Sequence, residues 1–312
     1  MTLSAPWQEP PISRPMRRPK EGEKSGARPP MVGPVRIAQT HPLLAEIVDG
    51  IADWDFPDGD VARVLTSKAL PSTTPYLIAQ YRVPIRTERC FGSIAYPHRR
   101  YWHVATTIGT GLVKLLPNGP MGALIIRLKP EAAALLIGER MQDLVDAKID
   151  LGNLFNANEL SLLEEMLMEA SDSTTRFARI ESFLLRNLRP CRPDPAVCRA
   201  AQCLRRNPSI RVRLLAAQLD ISERHLSRGF RAMFGASPKH FARIARIQKM
   251  LAMRQGGSTW ADIAYACGFA DQAHMINDFG AIVGDAPQKI FGTAVGDHRE
   301  KTMPVGPDFI EG

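Results

Sequence analysis

One arrangement of apolar residues occurs twice in the last third of this 312-residue chain. Leu226, Phe230 and Phe234 stand at helical spacing, and Met275, Phe279 and Val283 repeat them at a constant offset. Ahead of the first set, Val212, Leu215, Ala216 and Leu219 predict a short helix. Asp220 and Ile221 then predict a tight turn, with Ser222 as the next cap. Ahead of the second set, Ser258 or Thr259 caps a helix that buries Trp260, Ile263 and Ala264. Cys267, Gly268 and Phe269 make its turn, and Asp271 caps the helix after it. Small Ala216 leaves room where two helices cross steeply, and Ile221 plugs the angle between them. This is the sequence form of a helix-turn-helix, present twice. Gly235 ends the first unit, and Ser237-Pro238 open a long connecting helix with Phe241, Ile244, Ile247 and Leu251 facing inward. A further helix starts at Asp194-Pro195 and runs through Val197, Ala200, Ala201 and Leu204 to Asn207.

Charge is concentrated in the same segment. The whole chain carries +8. Arg211, Arg213, Arg224, Arg228, Arg231, Lys239, Arg243, Arg246, Lys249 and Arg254 face only Asp220 and Glu223. From Gln255 to Val295 the balance reverses, with Lys289 against Asp262, Asp271, Asp278 and Asp285. A compact basic segment suits a polyanion partner, because each neutralised phosphate releases counterions. A solvated helix face explains the charge alone equally well. Arg224, Ser227 and Arg228 lie three and four apart on the outer face of their helix, a spacing that reaches adjacent base edges.

The segments ISERHLSRGFRAMFGASPKHFARIARI and WADIAYACGFADQAHMINDF resemble the two halves of the AraC/XylS family's DNA-binding domain. Gly235, Ser237, Pro238, Ile263-Ala264, Gly268-Phe269 and Phe279 carry the likeness over roughly a hundred residues. The resemblance implies a transcription regulator whose two recognition helices enter successive major grooves of duplex DNA. By that resemblance the base-reading positions are Arg224, Ser227 and Arg228 in the first helix and Gln272, Ala273, Ile276 and Asn277 in the second. Backbone contacts fall to Ser222, His225, Arg231, Lys239, Arg243, Arg246 and His274. RNA polymerase is the implied partner downstream. Asn277 stands where the family usually has arginine, and Asp278 adds a negative charge at or beside the groove. Asn277 still matches an adenine edge, but the first unit is expected to supply most of the affinity. In the other reading Asp278 points at a basic neighbour and costs nothing.

The rest of the chain reads as α+β: a β-rich N-terminal domain, a helical hairpin, then the all-α double helix-turn-helix. Residues 1–34 hold eight prolines and several basic groups with little to bury, and are expected to be a disordered arm. The sensor or dimerisation domain spans 35–188, β-rich to about 128. Strands are expected at Val61–Thr66, Tyr76–Val83, Val104–Ile108, Leu112–Leu116 and Gly122–Leu128. Pro130 opens a helix through Ala132–Ile137. Leu160, Leu163 and Leu167, then Phe177, Ile180, Phe183 and Leu184, predict the hairpin. It serves either as a dimerisation surface for a homodimer or as packing within its own domain. Residues 189–193 form a linker, 194–295 the DNA-binding domain and 296–312 a disordered tail. The order of N-terminal elements is similar to a poorly characterised sensor-like domain found ahead of such modules. Sugar-sensing relatives carry a cupin-like barrel there, with which the strand content is compatible.

A small-molecule effector is one expected partner of this domain; a domain that only dimerises or docks a protein is the alternative. Tyr81, Arg82, Tyr96, Tyr101 and Trp102 are candidates to line a pocket, although aromatic residues of β-rich domains are more often plain core. An enzyme targeted to DNA is the remaining rival. His98 and His103 make a poor metal pair, Cys90 stands alone, and no GxSxG, HExxH or phosphate loop occurs. Cys191, Cys198 and Cys203 lack ligand spacing for zinc and read as buried small hydrophobes. No cofactor, metal or catalytic residue is expected. Five scattered cysteines, no signal-peptide core and no long apolar run predict a cytoplasmic protein without membrane attachment.

Overall fold

The computed structural model describes residues 35–63, 67–89, 102–105, 108, 111–137, 141, 148–150, 152, 154–189, 192–291 and 309–311. It has an α+β N-terminal region and an all-α C-terminal region. The N-terminal region is organised around β8 (Met121–Leu128), seven of whose eight residues are buried. A strand apolar on both sides belongs between two layers. β8 pairs antiparallel with β2 (Val48–Phe56) and β4 (Tyr76–Gln80), inside a six-stranded sheet ordered β1-β2-β8-β4-β6-β9. The outer strands are β1 (Val35–Ile37), β6 (Trp102–Ala105) and β9 (Lys148–Asp150). A second sheet joins β3 (Ser67–Ala69), β5 (Arg86–Arg89), β7 (Val113–Leu116) and β10 (Phe309–Glu311) in the order β10-β3-β7-β5.

The two-residue period of the strands divides the core. Ala52, Trp54, Phe56, Tyr76 and Ile125 meet Ala69 and Val113 of the second sheet and Ile85 just ahead of β5. Ile51, Leu77, Ala79, Leu124, Ile126 and Leu128 face the opposite way, toward helices. Those helices are α2 (Ala134–Ile137), α3 (Ala157–Glu169) and α4 (Ser173–Arg186). Leu160, Leu163, Leu167, Ile180, Phe183 and Leu184 bury their stripe there. The apolar stripe of the hairpin is therefore buried inside its own domain.

Several expectations are corrected. Residues 61–63 belong to α1 (Gly59–Arg63), where Asp58 bonds the Asp60 and Val61 N–H groups, and the strand starts only at Ser67. The chain turns through 130–133 before α2, so that helix is shorter than expected. Residues 309–311 of the tail pair with the edge of β3, an open ladder that accepts one more strand. The arm at 1–34, residues 296–308 and 312 of the tail, and Pro190-Cys191 of the linker lie outside the described residues.

The helix-face positions of β2 also hold two carboxylates. Asp53 is fully buried, and Arg176 of α4, 3% exposed, donates to it at 2.9 Å and to Asp55 at 3.0 Å. Arg176 also bonds the Ala170 carbonyl, and Tyr81 donates its hydroxyl to Asp53. Burial, followed by the Asp53 charge, pushes the Tyr81 hydroxyl far above its ordinary value, so it remains a donor.

The C-terminal region comprises α5 (Pro195–Arg206), α6 (Val212–Gln218), α7 (Glu223–Phe234), α8 (Pro238–Gln255), α9 (Trp260–Ala266), α10 (Gln272–Val283) and α11 (Pro287–Phe291). One core unites them, built on Val197, Leu204, Leu215, Phe230, Phe241, Ile247, Ile263, Met275 and Phe279. Leu70, Ile108 and Leu112 of the N-terminal region enter that same core. Among the described residues no helix is long and apolar enough to cross a membrane.

Candidate nucleic-acid interface

The two helix-turn-helix units are built by the same bonds in the same order. In the first, the Ile221 N–H reaches back to the Ala216 carbonyl at 3.1 Å; in the second, Phe269 bonds Ala264 at 3.0 Å. Each turn needs one left-handed residue, supplied by Asp220 at φ 54° and by Gly268 at φ 72°. Ser222 caps α7 by accepting from the His225 N–H, and Asp271 caps α10 by accepting from the His274 N–H. Gly235 and Gly284, both left-handed, end the two helices. Thr259, and not Ser258, caps α9. Trp260 is only half-buried, with the Arg254 guanidinium 4.9 Å from its ring centre.

With the apolar faces of α7 and α10 turned into one core, their outer faces are left to solvent. Arg224, Arg228 and Arg231 are exposed on α7, with Ser227 half-exposed between them. On α10, Gln272, Ala273, His274 and Asn277 are exposed, whereas Ile276 is half-buried and packs on the core. Ser222 and Lys239 are exposed as well.

Other predicted contacts are held by the protein itself. His225 is half-exposed, its Nε2 lying 2.6 Å from Asp194. Burial alone would raise the Asp194 carboxyl, but the His225 ring and the Ala196 and Val197 N–H groups hold it below the usual range. The Arg246 guanidinium lies 5.0 Å from the Phe269 ring centre, and the His274 ring meets Phe269 edge-on at 5.5 Å. Arg243 donates through Nε and Nη2 to Asp278 at 3.0 and 2.7 Å. Asp278 therefore points at a basic neighbour, the second of the two arrangements its position allowed. Arg211 and Arg213, counted in the basic segment but given no role, line a cleft between the two units together with Lys239, Arg243 and Arg246. Their signal was their position just ahead of and inside α6, beside the same face as α8.

Residues 215–292 match a protein-family model described as a helix-turn-helix domain. This segment is a helix-turn-helix domain. The matched segment runs from within α6 to the end of α11, so it takes in both duplicated turns and both outward faces. Among solved structures, ToxT from Vibrio cholerae is 12% identical, with 77% of this chain and 96% of that chain covered and a TM-score of 0.42. Wild-type ToxT of strain SCE256 with a bound unsaturated fatty acid gives 12%, 77%, 93% and 0.37. The C-terminal domain of AraT, a response regulator from Geobacillus stearothermophilus, is 20% identical over 36% of this chain and 98% of that one, with a TM-score of 0.31. No curated protein matches the chain.

The N-terminal candidates are distributed differently from the pocket expected. Tyr81 and Arg82 belong to the ionic network, Arg82 donating to Asp55 at 2.8 Å. Tyr96, Tyr101, Cys90 and His98 lie outside the described residues, and of Trp102 and His103 only the backbone on β6 is described. Cys267 is buried, which raises its thiol away from the thiolate that metal binding needs. Cys198 and Cys203 are half-buried against the same core.

Proposed function

We propose that this regulator binds duplex DNA by setting α7 and α10 in successive major grooves, and that its N-terminal domain governs how they are presented. The observation that carries the reading is the pair of equivalent capped helices, each with its apolar side buried and its polar side exposed. Arg224, Ser227 and Arg228 read bases from α7; Gln272, Ala273, Ile276 and Asn277 read them from α10. Ser222, His225, Arg231, Lys239 and His274 hold the backbone. The first unit dominates, since α7 presents three arginines and α10 none. The second unit is weakened by the missing arginine at Asn277, while Asp278 faces Arg243 and not the groove.

Control from the N-terminal domain is supported by its contacts with the DNA-binding region. Ser72 and Thr73 bond Gln248, the Ile108 carbonyl bonds His240 at 2.6 Å, Glu131 pairs with Arg205, and the Leu112 N–H bonds Val283 at 3.0 Å. A small-molecule effector with unequal affinity for two arrangements of this junction would shift DNA binding. A cleft of about 790 Å³ beside Asp55, Arg176 and Phe177 is the place in this domain where such an effector would be sought. RNA polymerase is the partner through which bound protein acts, in the cytoplasm, with a homodimer as the assembly to test.

The test is binding of the full chain to genomic DNA fragments across a salt series. Arg228→Ala is expected to cost about 1–3 kcal/mol and to relax specificity, and Asn277→Ala clearly less. Equal losses would retain the regulator and remove the inequality of its halves. Absence of sequence-specific binding at every salt concentration would remove the reading itself.

A further inference from the structure

A cleft of about 670 Å³ separates the two helix-turn-helix units. Its walls are residues 208–213 leading into α6, one face of α8, and one face of α10. Arg211, Arg213, Lys239, Arg243 and Arg246 place five cations along it against one carboxylate, Asp278. Cations gathered in a concave surface raise the local potential and draw in a polyanion. Arg211, Arg213 and Lys239 are exposed and have no ion-pair partner among the described residues.

Arg243 differs from these three. Both of its bonds end on Asp278 Oδ1, and the Asp278 side chain is only 14% exposed. The second oxygen, Oδ2, is buried with no hydrogen-bond partner among the described residues. The pair thus uses only one of the two carboxylate oxygens, and it occupies the guanidinium edge formed by Nε and Nη2. Asp278 stands where an external anion would meet the Arg243 guanidinium.

We propose that the cleft seats a backbone phosphate of the DNA strand passing between the two units, and that Asp278 is a resident anion holding Arg243 out of that contact. The inference rests on the DNA-binding reading above. Phosphate contacts carry no sequence information, so the seat acts on any duplex and sets the affinity floor on which the recognition helices discriminate. One acidic residue thereby sets how strongly the chain holds DNA it does not recognise.

The experiment uses the full chain and a random-sequence duplex of about forty base pairs, with affinity followed from about 50 to 200 mM salt. Asp278→Asn is expected to tighten binding about five-fold at physiological salt and to steepen the slope of log affinity against log salt by about 0.9, the signature of one added phosphate contact. In the Arg243→Gln background the same change is expected to do neither. Persistence of the gain in that background would show a general charge effect and overturn the proposal, as would an Asp278→Asn chain that binds like wild type. Arg211→Gln and Arg213→Gln, both on exposed surface and outside the backbone contacts already assigned, are each expected to flatten the slope by about 0.9. They decide the matter even where Asp278→Asn fails to fold: unchanged slopes remove the seat. A wild-type chain that binds no duplex overturns the DNA reading and the seat together, whereas a binding chain with unaltered slopes overturns the seat alone.

Discussion

Gly229 lets α7 lie directly against α5. A Cβ there would sit 2.3 Å from Cγ2 of Val197, which is fully buried and has no room to retreat. Gly229→Ala is expected to destabilise the chain by about 1–3 kcal/mol in denaturant titrations, because overpacking outweighs alanine's gain of about 1 kcal/mol in helix propensity. Adding Val197→Ala should return part of the loss; no recovery would show that the two helices do not meet there. The turn residues make a second pair. Gly268→Ala adds left-handed strain and a Cβ 2.7 Å from Ser209 Oγ, and is expected to cost about 1–2 kcal/mol. Asp220→Gly, at the equivalent site of the first unit, relieves strain and is expected to melt at or above wild type. Opposite signs for the two changes in thermal melts are the check.

Two elements depend on one carboxylate each. Asp194 caps α5 through the Ala196 and Val197 N–H groups and also holds His225 of α7, linking the two helices. Asp194→Ala is expected to cost about 1 kcal/mol at neutral pH, the typical worth of a side-chain N-cap. The folded carboxyl lies below its unfolded value, near 3.9. Its contribution is therefore complete above that value and vanishes as pH falls through the folded one. Melting curves of wild type and Asp194→Ala should converge in strong acid and separate at neutrality. The second element is α4, fastened to β2 by the Arg176–Asp53 pair. Arg176→Met leaves a carboxylate buried without its counter-charge and is expected to cost about 3–5 kcal/mol. Asp53→Asn with Arg176→Met should recover much of that loss; a double variant as unstable as the single would mean that Arg176 works by packing and not by charge.

At the scale of the molecule, the two regions share a core and a set of polar bonds. Leu70, Ile108 and Leu112 sit among C-terminal residues, and Gln248, His240, Arg205 and Val283 each meet an N-terminal partner. The contacts reach the connecting helix α8 and, through the end of α10 at Val283, the second helix-turn-helix unit. A junction of this kind couples the regions in unfolding. Gln248→Ala combined with His240→Ala is expected to split a single calorimetric transition into two, with little change in the later one. A single transition in that variant would place the coupling in Leu70, Ile108 and Leu112 instead.

The duplicated helices were legible in the sequence because their signals are local. Caps, turn residues and a 3.6-residue apolar period all lie within a dozen residues of the element they specify, and Ser222, Asp271, Gly235 and Gly268 act where their chemistry says they should. The exposed reading face of α7 follows from the same period. β2 was not legible: VDGIADWDF holds three aspartates, and the arginine that neutralises the fully buried one, Asp53, stands 123 residues away. Asp278 was open to two readings because its partner lies 35 residues earlier on another helix. The junction joins residues 175 apart at Thr73 and Gln248. The sequence by itself determined which segments are helices and which sides they bury, since backbone and solvent decide that locally. Only the tertiary structure decided which charges are already neutralised, because the energy of a charge depends on the groups that folding brings beside it.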